Sequence, residues 1–91
     1  MIYSLRSRVP PGTVRVDRTT QWGNRISFLN HATAKAEDYA IAVARYKAWA
    51  IKPEQAEWRE EVKLALKGKD LACWCKPNAC HADILHEIAN N

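Results

Sequence analysis

No stretch of the sequence approaches the roughly 20 apolar residues that a membrane-spanning helix requires. The N-terminal Met1-Ile2-Tyr3-Ser4-Leu5-Arg6 has neither the apolar centre nor the small-residue cleavage site of a signal peptide. The chain is therefore expected to act in the cytoplasm, with no membrane as a partner. It also lacks low-complexity, collagen-like or disorder-prone composition. Cysteine is sparse: there are three, an odd number, and Cys73 and Cys75 are one residue apart. On a strand that spacing points both side chains the same way, where a bridge between them would be strained. Reduced thiols are the expected state, which makes the cysteines chemical or metal-binding groups rather than staples. There is no phosphate loop, no polymerase or nuclease motif, no paired-carboxylate signature and no basic recognition helix.

What is present fits one domain spanning residues 1–91. Hydrophobic residues make up 47% of the chain and charged residues 26%, an ordinary globular balance. The net charge of +4 is unevenly placed. Residues 1–31 carry Arg6, Arg8, Arg15, Arg18 and Arg25 against Asp17 alone, while residues 32–91 hold nine basic and nine acidic side chains. The surplus is all arginine, whose planar fork of donors suits phosphates and carboxylates. A phosphate-bearing partner follows as one reading, and a solvated basic surface as the other.

Val9-Pro10-Pro11-Gly12 marks a turn or an extended stretch, because two amide donors are missing and glycine frees the backbone. Thr13-Val14-Arg15-Val16-Asp17 alternates and is β-branched, which predicts a strand. Thr20 to Asn24 reads as a loop, with Gly23-Asn24 suited to positive φ. Ile26 to Leu29 reads as a short strand or buried turn. From about Ala34 the apolar period becomes helical. Tyr39, Ala42, Val43, Tyr46, Trp49 and Ala50 form one stripe, and Thr33 is the expected cap. Pro53 opens a second helix, with Trp58, Val62, Ala65 and Leu66 inward and Lys67-Gly68 at its end. Asp70 to Trp74 is an apolar strand, Lys76-Pro77-Asn78 a turn, and a third helix starts near Ala79 with Ile84, Leu85 and Ile88 inward. The expected fold class is α/β: a short, partly parallel sheet covered by about three helices.

Chemistry concentrates after the last strand. Cys80 and His81 fall in the first turn of the third helix, where amide donors and the helix dipole lower a thiol's pKa. Asp83 lies in the same turn, placed to cap amides or orient an imidazole. One reading is a catalytic or ligand-holding pocket of Cys80, His81, Asp83 and Cys75. A second is a zinc site formed by Cys73, Cys75, Cys80 and His81, whose three sulfurs and one nitrogen suit a closed tetrahedral centre. A third packs the cysteines as small hydrophobes. Upstream, Arg18, Trp22, Gly23 and Asn24 form a candidate ligand-binding segment, with tryptophan stacking on a base or sugar. The plainer reading makes Trp22 a core anchor. Trp74 alternates with the cysteines and is expected on the opposite face, packed under a helix.

The run Gly68-Lys69-Asp70-Leu71-Ala72-Cys73-Trp74-Cys75-Lys76-Pro77-Asn78-Ala79-Cys80-His81-Ala82-Asp83-Ile84-Leu85 resembles the C-terminal signature of the bacterial and phage domain of unknown function 4326. That family also carries an aromatic-Gly-Asn-Pro segment after an early arginine, matched here by Arg18 with Trp22-Gly23-Asn24. Arg25 stands where the family usually has proline. A looser similarity to a second family with a Cys-His-Arg helix start is broken by Ala82. The resemblance implies a compact α/β domain of bacteria or their phages, often beside nucleic-acid genes, and supplies no reaction.

Three functions are therefore carried forward. The first is a small domain that binds or transforms a phosphate-bearing molecule, a nucleotide or nucleic acid, through the Cys/His site. The second is a zinc-stabilised, non-catalytic module that binds nucleic acid or protein. The third is a phage protein that binds a host protein.

Overall fold

The computed structural model describes residues 2–17, 19–24, 33–74 and 78–91. Their order is β1 (Ile2–Ser4), β2 (Val14–Arg15), α1 (Ala36–Ala50), a 3-10 turn (Pro53–Gln55), α2 (Ala56–Leu66), β3 (Leu71–Cys73) and α3 (His81–Ala89). The short strand or buried turn expected at Ile26 to Leu29 lies outside the described residues. β1 is an element that the N-terminal sequence did not announce.

β3 is the central strand, and both neighbours run parallel to it in the order β1-β3-β2. Ile2 pairs with Leu71 and Ser4 with Cys73 on one side, and Val14 pairs with Leu71 on the other. A strand flanked on both sides and covered by helices must be apolar throughout. Leu71, Ala72 and Cys73 meet that demand, each with no exposed surface. The expected α/β architecture holds, and the described sheet is parallel in both of its pairings.

The helical stripes bury as their spacing predicts. Tyr39, Ala42, Tyr46 and Ala50 are buried on α1, with Val43 and Trp49 half-buried. On α2, Val62 and Leu66 are buried and Trp58 is half-buried, whereas Ala65 is exposed. Tyr46 packs against Trp49 and Trp58, with ring centroids 5.8 and 6.1 Å away. The start of α1 is capped from within the helix rather than by Thr33: the Lys35 amide donates to the Asp38 carboxylate at 2.8 Å, an acceptor favoured by the dipole. Arg59 donates to the carbonyls of Ala50 and Lys52, at 2.7 and 2.8 Å, and so ties α2 to the end of α1. Gly68 takes φ +74° after α2, the left-handed conformation expected of it. Gly12 takes φ +85° in the Pro10-Pro11 turn, whereas Gly23, expected to do the same, does not. Among the described residues no helix is long and apolar enough to cross a membrane.

Tyr46 joins core and loop. It is 1% exposed, and its hydroxyl donates to the Trp22 carbonyl at 3.2 Å. Burial pushes its pKa well above the usual 10.0. The neutral hydroxyl therefore contributes stability undiminished below that ordinary value, and this is lost progressively as the pH rises above it. Replacing Tyr46→Phe keeps the packing and removes the donor. The expected cost is about 1 kcal/mol in urea unfolding, with a weaker loss of stability on the alkaline side than in the parent.

Candidate functional site

Because both outer strands run parallel to β3, all three strand ends emerge at one edge of the sheet. Ser4, Arg15 and Cys73 close the strands there. The N-terminus of α3 is drawn to the same edge by contacts from Cys80 to Cys73 and from His81 to Val16.

Cys73 and Cys80 have no exposed surface and are joined as a disulfide. This corrects the expectation of reduced thiols, which rests on the odd number of cysteines and the strained Cys73/Cys75 spacing. The fold instead brings a strand end and a helix cap, seven residues apart, together in the interior. Cys80 is the N-cap of α3, so the helix begins at His81, two residues later than the expected start near Ala79. Its sulfur accepts from the Ala82 amide at 3.5 Å, and the Asp83 carboxylate accepts from the Cys80 amide at 3.4 Å. The first turn is thus capped by the chain's own side chains in the reciprocal manner of a capping box.

His81 is 6% exposed and turned inward. Its Nε2 lies 2.5 Å from the Val16 carbonyl, and its Nδ1 lies 3.7 Å from the Cys80 sulfur. A carbonyl only accepts, so the proton sits on Nε2, and in the neutral ring Nδ1 presents its lone pair towards the sulfur. The ring also packs against Tyr46, centroid to centroid 5.2 Å. Cys73, Cys80, His81 and Asp83 lie together at this edge, in a closed setting. Cys75 and Arg18 lie outside the described residues. Among the described residues, no group of three His, Cys, Asp or Glu side chains is arranged to hold a metal ion.

The Trp22-Gly23-Asn24 segment is a clasp on α1. Trp22 is 5% exposed and belongs to the core, which fits the anchor reading rather than a stacking surface. Besides receiving the Tyr46 hydroxyl, it donates its amide to Thr20 Oγ1 at 3.2 Å. Gly23 is buried. Asn24 donates through its side-chain amide to the Ala42 carbonyl at 3.1 Å.

Two residues at this edge escaped the sequence reading. Asp17, counted only as a charge, is 2% exposed. Its Oδ2 accepts from Arg15 at 2.5 Å and from the Trp74 indole Nε1 at 2.9 Å, while its Oδ1 accepts from Thr19 at 2.6 Å. The signal available was the Arg15-x-Asp17-x-Thr19 spacing, in which three polar groups leave a strand end together. Trp74 is the second. It was expected beneath a helix by alternation along the strand, but β3 stops at Cys73, so alternation no longer governs it. It is 41% exposed.

The sequence profile of the family described as "Domain of unknown function (DUF4326)" matches residues 3–91. The chain belongs to this DUF4326 family. A protein of Enterobacteria phage T4, described as "Uncharacterized 12.4 kDa protein in nrdA-td intergenic region", is 31% identical over 77 residues, covering 85% of this chain and 67% of the phage protein. No solved structure matches the chain. DUF4326 membership assigns no activity, so the chemistry of this edge is argued from its geometry.

Burial raises the pKa of Asp17, but the hydrogen bonds from Arg15, Thr19 and Trp74 and the charge of Arg15 outweigh it, so the carboxyl sits below the ordinary 3.8. A depressed carboxylate contributes stability above its unfolded value and loses it as the pH falls through the folded one. Asp17→Asn is expected to destabilise the protein at neutral pH by roughly 1–3 kcal/mol and to flatten the acid limb below pH 4, measured by thermal unfolding against pH.

Proposed function

We propose that this domain binds a phosphate-bearing molecule, a nucleotide or nucleic acid, at the edge where its parallel strands end. One observation carries the reading: arginines of the N-terminal surplus follow or close the strands that end there. Arg6 follows the end of β1 by two residues and Arg8 by four, and Arg15 is the last residue of β2. All three are exposed. In open parallel sheets ligands bind beyond the carboxyl ends of the strands, and arginine supplies the planar donors that phosphate oxygens accept.

The Cys/His cluster supports that edge from below. Cys80 is inaccessible and already bonded to Cys73, which favours a bracing role over that of an open nucleophile. The reading is therefore of a binding domain, expected to act in the cytoplasm. Phosphate contacts release counterions, so affinity for a labelled single-stranded oligonucleotide should fall steeply with salt. The Arg6→Ala/Arg8→Ala double variant should bind more weakly and lower the slope of log affinity against log salt by about 1 to 2. Binding that is flat in salt, or unchanged in the double variant, would overturn the reading.

His81 favours a second reading, in which reduced Cys73, Cys75 and Cys80 join it in holding a structural zinc ion. Metal-ligating imidazoles commonly donate their other N–H to a carbonyl, which is the arrangement of Nε2 against Val16. The Cα atoms of Cys73 and Cys80 stand 7.4 Å apart, wider than is usual for a disulfide (about 4.4–6.8 Å). Zinc would brace the fold without taking part in a reaction. Protein purified under reducing conditions and passed through a desalting column should then carry one zinc per chain by elemental analysis and unfold on chelation. A reduced, zinc-free protein of undiminished melting temperature would exclude this reading.

A further inference from the structure

Four large apolar side chains are exposed among the described residues: Ile41, Ile51, Leu64 and Trp74. The first three sit on α1, at its end and on α2. Trp74 alone stands where the strands end, one residue beyond β3. Its ring is also held rather than loose. The indole Nε1–H donates to Oδ2 of Asp17, a carboxylate that is itself buried and fixed by Thr19 through its other oxygen. An indole fastened by its polar edge, with much of its surface left in water, is an apolar face kept in a set orientation. The hydrophobic effect alone would have buried it.

Arg15 is the second part of the arrangement. Its guanidinium donates to the same Asp17 oxygen as the indole, and its side chain is 52% exposed. One buried carboxylate therefore positions an aromatic ring and a cation side by side on the basic edge. A ring stacks on any nucleobase, and a guanidinium beside it meets the phosphate joined to that base. A duplex hides base faces, so the partner must offer an unstacked base.

We propose that Trp74 is a stacking platform for a nucleobase and that Arg15 binds a phosphate of the same nucleotide. The ligand class is a phosphorylated nucleoside, met either as a free nucleotide or within a single strand. Asp17 is a positioning residue that holds both groups. This inference rests on the phosphate-binding reading and adds to it the base and the residue that meets it.

The test compares a labelled single-stranded hexanucleotide with an abasic sugar–phosphate strand of equal length, by fluorescence anisotropy on the full chain. The parent protein should bind the base-bearing strand about tenfold or more tightly than the abasic one. Trp74→Ala should abolish that preference while leaving abasic affinity unchanged, and Trp74→Phe, which keeps a ring without the indole N–H, should retain part of it. Competition by a mononucleotide separates the two sources. Displacement at concentrations comparable to the strand supports a free nucleotide, and displacement by the strand alone supports single-stranded nucleic acid. A parent that binds both strands equally, or a Trp74→Ala variant that keeps the preference, overturns the stacking role and leaves phosphate binding standing. A variant that loses base-bearing and abasic affinity in equal proportion shows Trp74 to be a support for Asp17 and likewise overturns it. A parent that binds neither strand refutes both this inference and the phosphate reading.

Discussion

The structure depends on a three-residue strand being hydrogen-bonded on both sides. Leu71, Ala72 and Cys73 have no exposed surface and supply the register for both neighbours. Since both neighbours run parallel, every strand points its carboxyl end the same way. That single constraint collects Arg15, Asp17, Trp74, Cys80 and His81 at one edge, with Arg6 two residues beyond the end of β1, although they span most of the chain. The His81 contact to the carbonyl of Val16, the residue after β2, then fastens the final helix to the end of an outer strand. Leaving that carbonyl unpaired in the interior would be costly, so the imidazole both completes the edge and positions the helix.

Polar groups in this region are satisfied in a nested order. The Asp17 carboxylate receives three donors, Tyr46 fills the Trp22 carbonyl, and Asn24 reaches the Ala42 carbonyl. The Arg15 bond links a loop to β2, and the Tyr46 and Asn24 bonds link a loop to α1. Networks of this kind specify one arrangement, because an unmatched partner inside the protein costs more than the bond itself contributes. The edge is therefore expected to be rigid at its base, with exposed arginines as its adaptable surface.

Much of this was legible in the residues and some was not, for physical reasons. Helical periodicity marked Tyr39 to Ala50 and Val62 with Leu66, since burial enforces a repeat over several turns. The Cys80-His81 helix start was readable because caps use particular side chains at particular positions. β1 was not, because Ile2-Tyr3-Ser4 is too short to show alternation and gains its strand conformation only from β3. Trp74 was misplaced because alternation was carried one residue past the strand's end. The Cys73–Cys80 bond depended on tertiary proximity that no local spacing encodes. Asp17 looked like an ordinary surface carboxylate until its three donors arrived from positions 15, 19 and 74.

The two outer strands have a separate consequence. β1 is three residues long and β2 only two, and a proline pair stands between them in the chain. Edges this short offer few free backbone groups to the strand of another molecule, and short edges are one way proteins avoid self-association. The most apolar strand is meanwhile enclosed between them. Among the described residues, a wholly apolar central strand is thus flanked by edges too short to favour the edge-to-edge stacking that seeds fibrils.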